Sequence, residues 1–138
     1  MSTRFRRVAF SCVILLSVAG LLAARAPQQA RGQALKSHHL FNLPAGITEA
    51  QVIEAIREMN GGVRASGFQG AVYRLWRVSG EQAGEYLYLW EGMWPDQATY
   101  DAIHATEAWN SALERTQPIM DRVFEAQVYN RFIEVPGA

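Results

Sequence analysis

The side chains best suited to chemistry in this 138-residue chain surround His104, with Tyr100 four residues before it and Trp109 five after. A neutral imidazole beside a phenol and an indole can take a proton from an acidic O–H or C–H group, because its ordinary pKa lies near neutrality. The competing reading is a histidine at a helix end, hydrogen-bonded to backbone or water. His38 and His39 are adjacent on an extended segment, so they point to opposite faces and cannot hold one metal together. No ligand spacing joins either of them to His104 and a carboxylate, so no metal is expected, and the pair reads as the polar start of a strand. Trp76, Tyr86, Tyr88, Trp90, Trp94 and Trp109 could line a flat cavity for a planar ligand, or serve only as core and interface. Arg74 shares the Trp76 face, where an unpaired guanidinium would be costly; it is expected to meet a carboxylate across an interface or a ligand anion. The expected site is therefore His104 as the catalytic group with Trp90, Tyr100, Trp109, Tyr88 and Arg74 as substrate contacts, and Trp94 as a lid over the helix entrance. No nucleophile–base arrangement, phosphate loop, dinucleotide fingerprint or paired-carboxylate motif is present, and no cofactor is expected.

The elements that must position these groups follow from pattern. Residues 36–43 read as a short strand ended by Pro44-Ala45-Gly46. A helix then starts at Thr48, with Thr48 and Gln51 as a capping box and Ile47 and Val52 as a hydrophobic staple. Val52, Ile56 and Met59 make its buried stripe, and Asn60-Gly61-Gly62 is expected to end it. Residues 70–78 and 85–94 form a hairpin about a turn at 79–84. Asp96 caps a helix with Tyr100 and Ile103 on its apolar side. Thr106 re-caps a second segment carrying Trp109, Leu113, Met120 and Val123, with a kink or restart expected at Pro118. Residues 124–135 are the last strand. The order β-α-β-β-α-β is the ferredoxin-like split arrangement, an α+β fold with one four-stranded antiparallel sheet and helices on a single face.

Residues 1–34 read differently from this domain, which spans 35–138. Arg4, Arg6 and Arg7 precede an apolar run over residues 8–24, the pattern of an export signal, with Gly32-Gln33-Ala34 the preferred cleavage region. A periplasmic or secreted domain is expected; an uncleaved helix would instead anchor it to a membrane. The chain carries 13 basic and 13 acidic residues, but five of the basic ones lie in this leader and none of the acidic ones do. The remainder is acidic, which disfavours nucleic-acid binding. The single cysteine, Cys12, also lies in the leader, which excludes a disulfide scaffold.

Two helices cover only one face of the sheet, yet both faces are apolar. Leu87 and Leu89 point one way and Tyr86, Tyr88 and Trp90 the other; Tyr73 and Leu75 oppose Val72, Trp76 and Val78; Val128 and Phe132 oppose Tyr129 and Ile133. Three or four large aromatics left uncovered approach about 600–800 Å² of apolar surface, near the ~800 Å² that each partner gives to a standard interface. A homodimer through the open sheet face is expected; a lone chain in solution with Trp90 and its neighbours wet would contradict it.

Residues 86–91 (YLYLWE), the segment 105–113 (ATEAWNSAL) and the late helical Pro118 resemble the dimeric α/β-barrel superfamily, and within it the antibiotic-biosynthesis-monooxygenase-like domains. The resemblance implies the fold and the dimer. Members include cofactor-free oxygenases of polycyclic aromatic substrates, haem-degrading enzymes and many proteins without assigned activity. Aligned on Thr106 and Trp109, the helix position that carries histidine in many members, and tryptophan in the haem-degrading branch, is Ile103. His104 falls one residue later, about 100° around the helix. The haem-ligating position falls on Leu113, and Asn42 stands for the first-strand asparagine, so haem degradation is not expected. Two readings follow: an exported monooxygenase-like enzyme acting without cofactor on an aromatic or quinone-like molecule, or a non-enzymatic dimeric module that binds a small hydrophobic molecule or a partner. They divide on whether His104 faces an enclosed, partly polar pocket.

Overall fold

The computed structural model describes residues 32–137, so nearly all of the leader, Cys12 included, lies outside the described residues. Strand β1 (Leu35–Phe41) leads to helix α1 (Glu49–Ala65), which begins at the Thr48–Gln51 capping box. The Gln51 backbone N–H donates to Thr48 Oγ1 at 3.3 Å, and the Thr48 N–H donates to Gln51 Oε1 at 2.9 Å. Helix α1 does not stop at Asn60-Gly61-Gly62 as expected. Gly62 is buried, and a Cβ there would lie 2.7 Å from Ala112 Cβ and 2.9 Å from the Ala108 carbonyl. Its glycine serves the close approach of two helices, so a residue type that often ends helices here marks a crossing.

Strands β2 (Val72–Arg77) and β3 (Tyr88–Trp94) form the hairpin around a 3₁₀ turn at Glu81–Gly84. Helix α2 (Gln97–His104) starts where Asp96 accepts the Thr99 N–H at 2.7 Å. Helix α3 (Glu107–Glu125) starts where Thr106 accepts the Trp109 N–H at 3.2 Å. Contrary to expectation, α3 runs through Pro118 without restarting. Pro118 and Glu114 are both exposed, so the carbonyl that loses its N–H partner can meet water. Helix α3 also takes in Phe124 and Glu125, so β4 is Val128–Ile133, shorter than the expected 124–135.

The sheet is four-stranded and antiparallel in the order β2-β3-β1-β4, the ferredoxin-like α+β arrangement with all three helices on one face. The register separates two chemically different surfaces. Leu35, Ser37, His39 and Phe41 of β1 stand beside Trp94, Gly92, Trp90 and Tyr88 of β3 on the helix-covered face. Trp90 is therefore 1 % exposed, on the helix-covered face. The aromatic set of β3 thus lies under the helices, and Leu89, Glu91 and Met93 face the open side.

The open face has a polar row across its middle: Arg74, Glu91, His38 and Asn130 are cross-strand neighbours. An apolar row, Trp76–Leu89–Leu40–Val128, flanks it on one side, and the row Val72–Met93–Lys36–Phe132, broken by one lysine, on the other. Trp76 and Phe132 are about half exposed (46 % and 50 %). Glu91 is buried even here. It accepts from Lys36 at 3.0 Å and from Trp76 Nε1 at 3.0 Å, and His38 Nε2 stands 3.2 Å away. Burial pulls its carboxyl pKa upward, but hydrogen bonds from Lys36, His38 and Trp76 outweigh that and hold it below the ordinary value.

Candidate functional site

The residues that matter converge between the sheet and helices α2 and α3, around a cavity of about 520 Å³. Trp90 and Tyr73 form its floor on the sheet, Trp94, Tyr100, His104 and Trp109 one wall, and His39, Phe124, Gln127 and Tyr129 the other. A second, larger concavity of about 800 Å³ lies beside residues 32–35 and the start of α2. Its one ionisable group, Asp96, is already engaged as a helix cap.

The α2–α3 corner sets His104. Its ring lies between Tyr100 and Trp109, with centroids 3.8 Å and 4.1 Å away. Nδ1 is 2.7 Å from the Tyr100 carbonyl oxygen, which can only accept. Nδ1 therefore carries the hydrogen, and Nε2 of the neutral ring holds the lone pair. Burial lowers the His104 pKa, with the bond to the Tyr100 carbonyl opposing in part, so the neutral form dominates at pH 7. The backbone hydrogen bond foreseen for a merely structural histidine is present, yet the same bond orients a base in the cavity wall.

His39, expected to be the polar start of a strand, instead lines the cavity. It shares the buried face with Phe41, pairs in register with Trp90, and lies 4.8 Å from the Phe124 ring and 4.7 Å from Tyr129. Its Nδ1 stands 2.5 Å from Gln127 Oε1, and burial, ahead of the opposing Gln127 bond, lowers its pKa. His38 and His39 do occupy opposite faces, His38 beside Glu91. The missed signal was period: His39 lies two residues from Phe41 and should be counted with it.

The aromatic wall is locked by a chain of donors. Trp94 is 3 % exposed and donates to Ser37 Oγ at 3.3 Å; it packs edge-on to Tyr73 and Tyr100, so it is a wall and not a lid. Gly92 makes room for it, since a Cβ there would come within 2.9 Å of the Trp94 ring. Trp109 Nε1 donates to the Tyr73 hydroxyl at 3.2 Å, and Asn60 brackets the Tyr73 backbone with bonds of 2.8 and 2.9 Å. Burial pushes the Tyr73 hydroxyl pKa upward, so it stays a neutral donor. Arg131 stacks 4.8 Å over Tyr100 and donates to Gln97 at 2.6 Å.

Four of the expected residues, His104, Trp90, Tyr100 and Trp109, thus meet at one cavity, and two do not. Tyr88 is buried against Phe41 and donates to Glu49 at 2.7 Å, while Arg77 grips the same carboxylate at 2.8 Å; this ties α1 to the sheet and leaves Tyr88 outside the cavity. Arg74 lies on the opposite sheet face, exposed, and makes no ion pair among the described residues because Glu91 is taken by Lys36 and His38. Trp76 and Tyr86 are also absent from the cavity wall. Ile103 is fully buried, and Asn42 spends its amide on Glu85 and Leu87 of the hairpin. Among the described residues no cluster of three metal-ligating side chains occurs.

A ferredoxin-like sheet with an aromatic, histidine-bearing cavity beneath its helices defines the class of this domain. No family model matches the chain, and no curated protein matches it. Solved structures share the fold. A candidate antibiotic biosynthesis monooxygenase from Caulobacter crescentus is 20 % identical, covering 76 % of this chain and 92 % of its own, with a TM-score of 0.53. A dimeric ferredoxin-like protein of unknown function from Thermobifida fusca is 17 % identical over 75 % and 92 %, at 0.52. A hydroxynitrile lyase from Passiflora edulis is 10 % identical over 77 % and 97 %, at 0.54. The chain is similar in fold to dimeric and monooxygenase-like proteins of the kind the sequence resembles.

Proposed function

We propose that this domain binds a planar aromatic or quinone-like small molecule beneath its helices and oxidises it without a cofactor. The observation that carries the reading is His104: half-buried in the wall of a 520 Å³ aromatic cavity, with its tautomer fixed by the Tyr100 carbonyl and its pKa lowered. Nε2 would take a proton from an acidic C–H or O–H of the ligand, leaving an electron-rich anion between aromatic walls. The carbanion of a ring methylene would add dioxygen to give a hydroperoxide, and loss of the second C–H with cleavage of the O–O bond would leave a carbonyl on that carbon and release water, so the methylene supplies all four electrons. The fold shared with a candidate monooxygenase supports this chemistry, and the geometry of His104 favours it over a passive binding module.

The active form would be a homodimer joined through the open sheet face, where Trp76, Leu87, Val128 and Phe132 lie exposed. Residues 1–34 would direct it to the periplasm or the exterior. Oxygen uptake tests the enzyme reading. Uptake is expected with aromatic hydroquinones or anthrone-type ketones in the presence of a chelator, abolished in His104→Ala while binding by thermal shift persists. Binding without oxygen uptake in the unaltered protein would support the non-enzymatic module, and no binding at all would refute both.

A further inference from the structure

His39 stands in the wall across the cavity from His104, and the two imidazoles are prepared alike. Gln127 Oε1 lies 2.5 Å from His39 Nδ1 and accepts its hydrogen, as the Tyr100 carbonyl does for His104 at 2.7 Å. Each neutral ring therefore keeps its lone pair on Nε2, and burial lowers the pKa of both. His39 Nε2 has no hydrogen-bond partner among the described residues, yet the one fully buried side-chain nitrogen or oxygen left unpaired among them is on Trp90. His39 Nε2 is thus reached by solvent. The residue stands on the helix-covered face and lines the cavity, so that is where the nitrogen opens. No other group in the walls matches the two histidines as a half-buried base. The Tyr73 and Tyr100 hydroxyls are pushed upward by burial and stay protonated, while Asp121 and Tyr129 are exposed.

The oxidation proposed above removes two protons from one carbon, and His104 accounts for the first. We infer that His39 is the second base, taking the remaining C–H proton of the bound hydroperoxide from the opposite wall. The two hydrogens of a ring methylene project from opposite faces of the ring plane, so a planar ligand between the walls offers one to each imidazole. In the first step His104 takes a proton, dioxygen adds to the carbanion, and His104 returns the proton to the peroxide oxygen. In the second, His39 Nε2 takes the other proton, the C–H electron pair becomes the second C–O bond, and the O–O bond breaks to release hydroxide. His39 then gives its proton to that hydroxide, forming water, and the ring is neutral for the next turnover. The assignment rests on the enzyme reading and adds the group that its last step requires.

Anthrone supplies the test, because oxygen uptake reports the first step and anthraquinone the second. The unaltered protein should form quinone in step with the dioxygen it consumes, with no free hydroperoxide. His39→Gln should leave oxygen uptake nearly unchanged, release the hydroperoxide of anthrone and slow quinone formation about a hundredfold, whereas His104→Ala abolishes uptake. In the unaltered protein the Nε2 resonances of both His39 and His104 should move when anthraquinone is added, a readout independent of whether His39→Gln folds. Quinone in step with oxygen in a folded His39→Gln, or a His39 Nε2 that ignores anthraquinone, overturns the second base and leaves His104 standing. No oxygen uptake by the unaltered protein overturns the enzyme reading and this assignment together.

Discussion

Gly62→Ala offers a quantitative probe of how α1 and α3 hold the cavity wall. The new Cβ would lie 2.7 Å from Ala112 Cβ, 2.9 Å from the Ala108 carbonyl oxygen and 3.2 Å from Trp109 Cα. All three atoms belong to, or are fixed to, the α3 backbone, so no flexible side chain can yield. Restoring even the shortest ordinary contact of 3.4 Å against 2.7 Å would part the helices by about 0.7 Å. Overpacking of this kind costs ~1–3 kcal/mol, while replacing glycine by alanine inside a helix returns ~1 kcal/mol. A net loss of up to ~2 kcal/mol is expected, or roughly 4–8 °C in Tm for each kcal/mol. Gly61→Ala is the internal control, because its Cβ would meet only the Arg64 guanidinium at 3.9 Å; it should gain up to ~1 kcal/mol. Urea denaturation of the two variants beside the unaltered protein measures both. Trp109 should move with α3 and weaken binding of aromatic probes in the first variant only. Equal stability of the two variants, or a more stable Gly62→Ala, would refute the close helix crossing.

Three further outcomes follow. His39 and His104 both have pKa values lowered by burial below the ordinary 6.5, so the unfolded chain takes up protons first as the solution is acidified. Their contribution to stability is full above pH 6.5 and is lost as pH falls through the lower folded-state values; denaturation at pH 7.5 and 5.5 should show the decline, and His39→Phe should flatten it. Phe132→Glu on the open face should turn a sedimenting dimer into a monomer with unchanged circular dichroism, whereas Tyr129→Glu on the helix side should not. Tyr88→Phe and Arg74→Ala should leave probe affinity within twofold by fluorescence titration, because neither side chain reaches the cavity.

Much of the architecture is legible in local chemistry. Thr48–Gln51, Asp96 and Thr106 announce three helix starts because a capping side chain acts within one turn, and strand alternation separates Tyr73 from Trp76 without tertiary knowledge. Gly62 and Pro118 mislead for a shared reason: what they do to a helix depends on what lies opposite, a neighbouring helix at Gly62 and solvent at Pro118. The site was half legible. His104, Tyr100 and Trp109 lie within one short stretch, so helical spacing finds them. His39, Tyr73 and Gln127 come from three separate elements, and only strand register and the α3–β4 connection bring them to the same cavity. Tyr88 was misassigned because counting alternate residues gives its face but not its height along the strand, where Glu49 waits instead of a ligand.

The account turns most directly on the protonation and tautomer of His104, which two-bond proton–nitrogen correlation of a nitrogen-15-labelled imidazole reads in solution. At pH 7 the ring should be neutral, with hydrogen on Nδ1 and a lone-pair resonance at Nε2 that moves when 1-hydroxy-2-acetonaphthone is added. A ring that is charged at that pH, or carries its hydrogen on Nε2, or ignores the added ligand, would contradict it.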